Sequence, residues 1–200
     1  MKHIAVSGPA AAGKSTLIRR LSQRLGDRAT VHLERPQNNP FIREYYADSS
    51  RWSFHSQMTF LALYFDDLGH PGRDWLHDDR EFCLYDRSLA ENLVLARYRL
   101  EQGHLTRDEY DQIEKMALGL QLLMPPIDGY VYLDATAELL TRRLRQRGRD
   151  YENDIGRRYA EDTRRLYGEW AAHLPAEKTL VLSADEGIDV DRVIRFMENL

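Results

Sequence analysis

The sequence predicts an α/β fold, a parallel five-stranded sheet with helices on both faces. Three observations predict it. Five short apolar runs recur along the 200 residues, and stretches of helical periodicity separate them. The runs are apolar nearly throughout, as strands covered on both faces are. The first run passes directly into a glycine-bearing turn and an amphipathic helix, the opening of a phosphate-binding unit.

The first strand is expected at 3–7, HIAVS, and the turn after it reads GPAAAGKST, 8–16. This stretch fits G-x-x-x-x-G-K-[ST] through Gly8, Gly13, Lys14 and Ser15. Gly8 and Gly13 permit backbone conformations that a Cβ forbids, so that consecutive N–H groups point inward at phosphate oxygens. Lys14 brings a compact charge to the β- and γ-phosphates, and the Ser15 hydroxyl suits Mg²⁺. Gly8, Ala11, Gly13, Lys14, Ser15 and Thr16 are therefore expected to hold the triphosphate of a nucleotide, with the helix dipole behind them. That helix places Leu17, Ile18, Leu21 and Leu25 on one face and stops at Gly26.

A second strand at 30–33, TVHL, ends in Glu34. Residues 51–68 read as a helix on which Phe54 and Gln57 share a face. An aromatic beside an amide suits a flat heteroaromatic ring, although the same periodicity describes an ordinary core helix. A third strand at 81–85, EFCLY, leads into Asp86, Arg87 and Ser88. A helix is expected over 88–102, and another over 106–124, where Thr106 and Glu109 have capping-box spacing. A fourth strand at 129–133, GYVYL, ends in Asp134. The helix 136–147 carries an arginine cluster, with five arginines among the eight residues 142–149, and Gly148 is its expected terminator. A helix at 156–173, a fifth strand at 179–183 and a helix at 189–199 complete the chain.

Ligands of such sheets bind beyond the carboxyl ends of the strands, which singles out the acids there. Glu34 is placed to take a proton from an attacking hydroxyl. Asp86 stands where Mg²⁺ is held. Arg87 suits a phosphate or a substrate oxygen, while Asp86 or Ser88 would equally cap the next helix. Arg143, Arg147 and Arg149 read as a lid, at about 142–155, that spreads charge from a transferred group. The net charge of −4 and pI of about 6.0 speak against a nucleic-acid or membrane surface. Cys83 is the sole cysteine and lies in a strand, which fits a buried thiol in a reducing cytoplasm. One domain spanning 1–200 is expected, with no run of membrane-spanning length.

With these motifs in this order, the chain resembles the deoxynucleoside kinase family, in particular its bacterial deoxyadenosine/deoxyguanosine kinase branch. Glu34 with NPF at 39–41 and Tyr46, RWSFHSQ at 51–57, DRS at 86–88 and RQRGRDYE at 145–152 carry the resemblance nearly end to end. It implies a P-loop kinase fold. It further implies Glu34 as general base on a nucleoside 5′-hydroxyl, oriented by Arg87; Tyr46 and Glu152 on the sugar 3′-hydroxyl; Gln57 on the base with Phe54 nearby; and residues 184–190 against the adenine of ATP. The chain departs from the family pattern at Tyr64, where an arginine is usual, and at Asn92, where many members have Asp. Both positions belong near the base.

The activity implied is transfer of the γ-phosphoryl of ATP, with Mg²⁺, to a deoxyribonucleoside in nucleoside salvage, purines favoured. A pyrimidine or broad acceptor, a nucleoside monophosphate kinase and an ATP-sensing module are the alternatives. A homodimer is expected from surplus apolar residues: Phe60, Leu61, Leu63, Phe65, Leu93, Val94, Leu118, Leu120, Leu122 and Leu123.

Overall fold

Residues 1–69, 79–152 and 156–200 of the computed structural model are described, except for the side chains of 67–69 and 152. Five parallel strands form one sheet: β1 (Lys2–Ser7), β2 (Ala29–His32), β3 (Phe82–Asp86), β4 (Gly129–Asp134) and β5 (Thr179–Ser183). Their spatial order is β2-β3-β1-β4-β5, so the chain runs from β1 out to the edge at β2, returns inward at β3, and then crosses β1 to add β4 and β5 on the other side. That reversal opens a crevice at the carboxyl ends of the central strands.

Alternation along each strand divides two cores. Ile4 and Val6, Phe82 and Leu84, Val131 and Leu133 face one side, where they pack with Leu17, Ile18 and Leu21 of α1 (Lys14–Leu25) and Val193 and Met197 of α8 (Val190–Glu198). Cys83 and Tyr85 face the other side, and so does Tyr132, which packs against Val94, Leu166 and Tyr167. That second layer is made by α3 (Ser49–Gly69), α4 (Glu91–Glu101), α5 (Arg107–Gln121) and α7 (Arg157–Ala171), with a core of Leu61, Leu89, Ala96, Ile113 and Ala117. A sheet buried on both faces explains why its strands are apolar nearly throughout.

The capping box forms as the spacing predicts: Thr106 Oγ1 accepts from the Glu109 N–H, and the Glu109 carboxylate accepts from the Thr106 N–H. α6 (Ala137–Arg147) ends on Gly148 in the left-handed region, φ 61°. Two expectations need correction. The helix expected from 88 begins at Glu91, because the Glu91 carboxylate folds back onto the Ser88 N–H (2.7 Å) and ties 88–90 into a turn. Neither Asp86 nor Ser88 caps it. The six-residue helix α2 (Ile42–Ala47) was not anticipated, since it is too short to show a period.

Candidate active site

A cleft of about 750 Å³ lies across the carboxyl ends of the strands, between the P-loop, α2, α4 and the arginine-rich end of α6. Its donor end is the loop between β1 and α1. Gly8 and Gly13 take φ of 135° and 112°, and a Cβ on Gly8 would sit 2.5 Å from the Leu133 carbonyl oxygen. Glycine at position 8 thus permits both the turn and its close approach to β4. Ala11 also holds a positive φ, 66°. Lys14 folds back over the loop, its Nζ donating to the carbonyls of Gly8 (2.9 Å) and Pro9 (2.8 Å). Burial, then the neighbouring Arg87 charge, lowers the Lys14 ammonium to about 8.

β3 delivers the next groups. The Ser15 hydroxyl donates to Asp86 Oδ2 at 2.5 Å, which joins the start of α1 to the end of β3. The other Asp86 oxygen is buried with no hydrogen-bond partner among the described residues. A hydroxyl and a carboxylate with an unsatisfied oxygen form a hard-oxygen set that suits Mg²⁺, an ion held by one or two carboxylates together with substrate phosphates. Arg87 follows with φ 83°, a strained backbone for a side chain of this size. Its Nε donates to Glu34 Oε2 (3.1 Å), and its Nη1 donates to the Gly8 carbonyl (3.3 Å) and to the Tyr167 hydroxyl. One guanidinium thus connects the end of β2, the P-loop and α7.

Glu91 was not singled out by sequence. It is fully buried and accepts from Ser7 Oγ (2.7 Å) and the Gly8 N–H (3.3 Å) as well as the Ser88 N–H. Burial raises its carboxyl pKa, against the opposing pull of Arg87 and Lys14. Its carboxylate fixes the floor on which the loop and Arg87 stand.

Above the loop, Arg143 Nη1 donates to the Ala12 carbonyl (2.9 Å) and Nη2 to the Ala184 carbonyl (3.4 Å). Arg147, Arg149, Thr16, Gly187 and Ile188 line the same end of the cleft. The acceptor end is lined by Leu33, Glu34, Tyr45, Tyr46, Phe60 and Arg99, among others. Tyr46 stacks beside Tyr151, and Asp150 pairs with Arg43 at 2.8 Å, so the segment after α6 rests on α2. A smaller annex of about 170 Å³ lies against Phe60 and shares Glu34, Asp86 and Arg87 with the cleft; Tyr64 and Asn92 line it.

Two residues expected at the base, Phe54 and Gln57, do not line the cleft or its annex. Phe54 packs into the helical core with Leu61 and Leu89, as the helix periodicity alone would have it, and Phe60 presents the aromatic ring to the cleft. Gln57 is fully buried and lines neither cavity. Its amide nitrogen donates to the Asn92 carbonyl (2.8 Å), and its Oε1 accepts from Arg99 Nη1 (2.6 Å). The side chain of Glu152 lies outside the described residues. Arg99, Glu91 and Phe60 are the groups sequence reasoning passed over. The one available signal was Phe60, three residues beyond Gln57 on the same helix.

The family model described as deoxynucleoside kinase matches residues 4–198. A deoxyadenosine/deoxycytidine kinase of Bacillus subtilis (strain 168) is 30% identical over 186 residues, covering 92% of this chain and 82% of the relative. A deoxyguanosine kinase of the same organism is 28% identical over 156 residues, 78% of this chain and 72% of the relative. A solved structure of deoxyadenosine kinase from M. mycoides, with products dCMP and a flexible dCDP bound, superposes with a TM-score of 0.80 at 24% identity, over 98% of this chain and 96% of that one.

Proposed function

Since the chain belongs to the deoxynucleoside kinase family and is accordingly a phosphotransferase, we propose that it phosphorylates the 5′-hydroxyl of a deoxyribonucleoside at the expense of ATP, purines favoured, in nucleoside salvage. The observation that carries this reading is the Glu34–Arg87 pair, 3.1 Å apart and open to the same cleft as Lys14, Ser15 and Asp86. A kinase whose acceptor is itself a phosphate would gain nothing from a carboxylate there and would be repelled by it. An ATP sensor would need no acceptor end.

Arg87 holds one Glu34 oxygen, and the other is left to accept the proton of the nucleoside hydroxyl as that oxygen bonds to phosphorus. Tyr46 would hold the sugar 3′-hydroxyl beside it, as the family resemblance implies. Lys14, Arg143, Arg147 and Arg149 line the cleft and would bear on the charge that accumulates on the transferred group, so most of the rate would come from positioning and preorganised charge. Ser15 and Asp86 would hold Mg²⁺, which would supply positive charge to partly neutralise the donor phosphates. Gly187 and Ile188 would flank the donor base. The relatives named for deoxyadenosine and deoxyguanosine favour a purine acceptor. The Tyr64 ring in the annex, which narrows it, favours the alternative of a pyrimidine or broad acceptor. We place the enzyme in the cytoplasm as a homodimer; among the described residues no helix is long and apolar enough to cross a membrane.

The test is ADP release, followed continuously with ATP and each deoxynucleoside in turn. Release that depends on added nucleoside is expected. Release that depends on a nucleoside monophosphate instead would contradict the proposal.

A further inference from the structure

We infer that Glu91 is a positioning residue: its carboxylate locks Arg87 to the first glycine of the P-loop, and so holds the Glu34 base in register with the loop that receives the donor phosphates. This rests on the deoxynucleoside kinase reading above and deepens it.

The polarity of the partners decides what position 91 must carry. Oε1 accepts from the Ser88 N–H (2.7 Å) and the Ser7 hydroxyl (2.7 Å). Oε2 accepts from the Gly8 N–H (3.3 Å) and from Arg87 Nη1 (3.5 Å). Main-chain N–H groups and a guanidinium only donate, so both oxygens are needed as acceptors. An amide of the same shape would turn its own N–H groups either toward Ser88 or toward Gly8 and Arg87.

A local role accounts for only part of this. A glutamate three residues after a serine ties a turn through the Ser88 N–H alone. The Thr106–Glu109 box makes the equivalent bond, at 2.8 Å, without burying its carboxylate. Glu91 is 0% exposed. Burying a carboxylate is costly unless it is paired and hydrogen-bonded. The Oε2 bond to Gly8 reaches across 83 positions of sequence, which no local turn requires.

The bonds of Oε2 close a triangle. Arg87 Nη1 donates to Glu91 Oε2 and to the Gly8 carbonyl (3.3 Å), while the Gly8 N–H donates to the same Oε2. Gly8 is thus gripped at both its N–H and its C=O, and Lys14 Nζ shares the latter. Nε of the same guanidinium donates to Glu34 Oε2 at 3.1 Å. A shift of the loop against β3 is therefore passed to the base through one rigid plane. The Tyr167 hydroxyl of α7 also accepts from Nη1, which adds support from the helical layer. The positive φ of Arg87, 83°, is the strain that this lock sustains.

The experiment is a double-mutant cycle in kcat, with ATP and the deoxynucleoside that turns over fastest, using Glu91→Gln, Glu34→Gln and the double variant. Glu91→Gln should lower kcat by about 10–10²-fold, the cost of a small misplacement. In the Glu34→Gln background no base remains to be placed, so the same substitution should cost less by about fivefold or more. Equal factors in both backgrounds, or a wild-type kcat in Glu91→Gln, would overturn the inference, since a purely structural carboxylate predicts them. Should Glu91→Gln fail to fold, Glu91→Asp decides by the same cycle. It keeps the charge, but its shorter side chain cannot reach Ser88, Gly8 and Arg87 together. Loss of the fold in both variants would overturn the inference in favour of a structural role. The Arg87 Nε–H signal, assigned in ¹⁵N NMR spectra by its absence from Arg87→Lys, reads the lock without turnover. It should exchange with solvent about tenfold faster in Glu91→Gln than in the wild type. Unchanged exchange would overturn the assignment whatever the rates. Faster exchange in a chain that releases no ADP with any deoxynucleoside would refute the kinase reading and leave the lock standing.

Discussion

Lys14 holds its charge against its surroundings: it is 6% exposed, and Arg87 adds a second cation nearby. Burial disfavours the ammonium, so the folded-state value of about 8 lies below the ordinary 10.5. The charged form therefore dominates below pH 8 and is lost as pH rises through it. The kcat/KM for ATP, which reports the free enzyme, should accordingly fall on an alkaline limb near pH 8, whereas kcat, measured with anionic phosphates beside the ammonium, should fall at higher pH. Lys14→Arg should remove the limb from kcat/KM, and a pH–rate series on both proteins checks this. Glu34→Gln keeps shape and loses basicity, so turnover should drop by about 10²–10⁴-fold with ATP affinity nearly unchanged. Retention of a third of the rate would mean that another group takes the proton. At this scale the sequence revealed side chains whose role depends on neighbours in the chain, such as Lys14 and Ser15 in their loop. It did not reveal the Gln57–Arg99 bond, which joins residues 42 positions apart on different helices. Nor did it reveal that Glu91 lies under Gly8, since no local spacing encodes that contact.

Among the elements, the P-loop shows how tightly backbone and sheet are fitted. Gly8→Ala would combine a positive φ with a Cβ 2.5 Å from a main-chain oxygen that cannot swing aside. Gly148→Ala shares the positive φ but finds its nearest neighbour at 3.9 Å, so strain alone acts there, about 1 kcal/mol. Thermal unfolding should show the larger loss for Gly8→Ala, together with weakened ATP binding; equal losses would mean that the contact with Leu133 relaxes freely. Elements with a strong period or a defined cap were legible: the five strands, α1 and α5. Their burial pattern is written in consecutive residues. α2 was not, because six residues hold less than two turns. The start of α4 was displaced by the long-range demands on Arg87 and Glu91 at the end of β3, where strain is retained for the site.

For the whole molecule, apolar surface points to assembly. Several residues counted toward an interface from sequence are occupied within the chain: Leu61 and Val94 are buried and Phe60 lines the cleft. The exposed remainder gathers near the C-terminal end of α5, with Leu118 at 52%, Leu122 at 87% and Leu123 at 64%. Light scattering should give about twice the 23.4 kDa of the chain, and Leu122→Glu with Leu123→Glu should return it toward one. A monomeric wild type at micromolar concentration would contradict the dimer. Fold class was legible because a buried parallel sheet imposes one pattern on the entire chain. The acceptor end was legible only in outline, because it is assembled from β2, α2, α3 and α4, brought together by topology rather than by sequence. The central claim, transfer to a nucleoside hydroxyl, is tested most directly by ³¹P NMR of the products formed from ATP and a mixture of the four deoxynucleosides. The account predicts deoxynucleoside 5′-monophosphate appearing in step with ADP. Inorganic phosphate in step with ADP, or a phosphoryl group on any acceptor other than the 5′-hydroxyl, would contradict it.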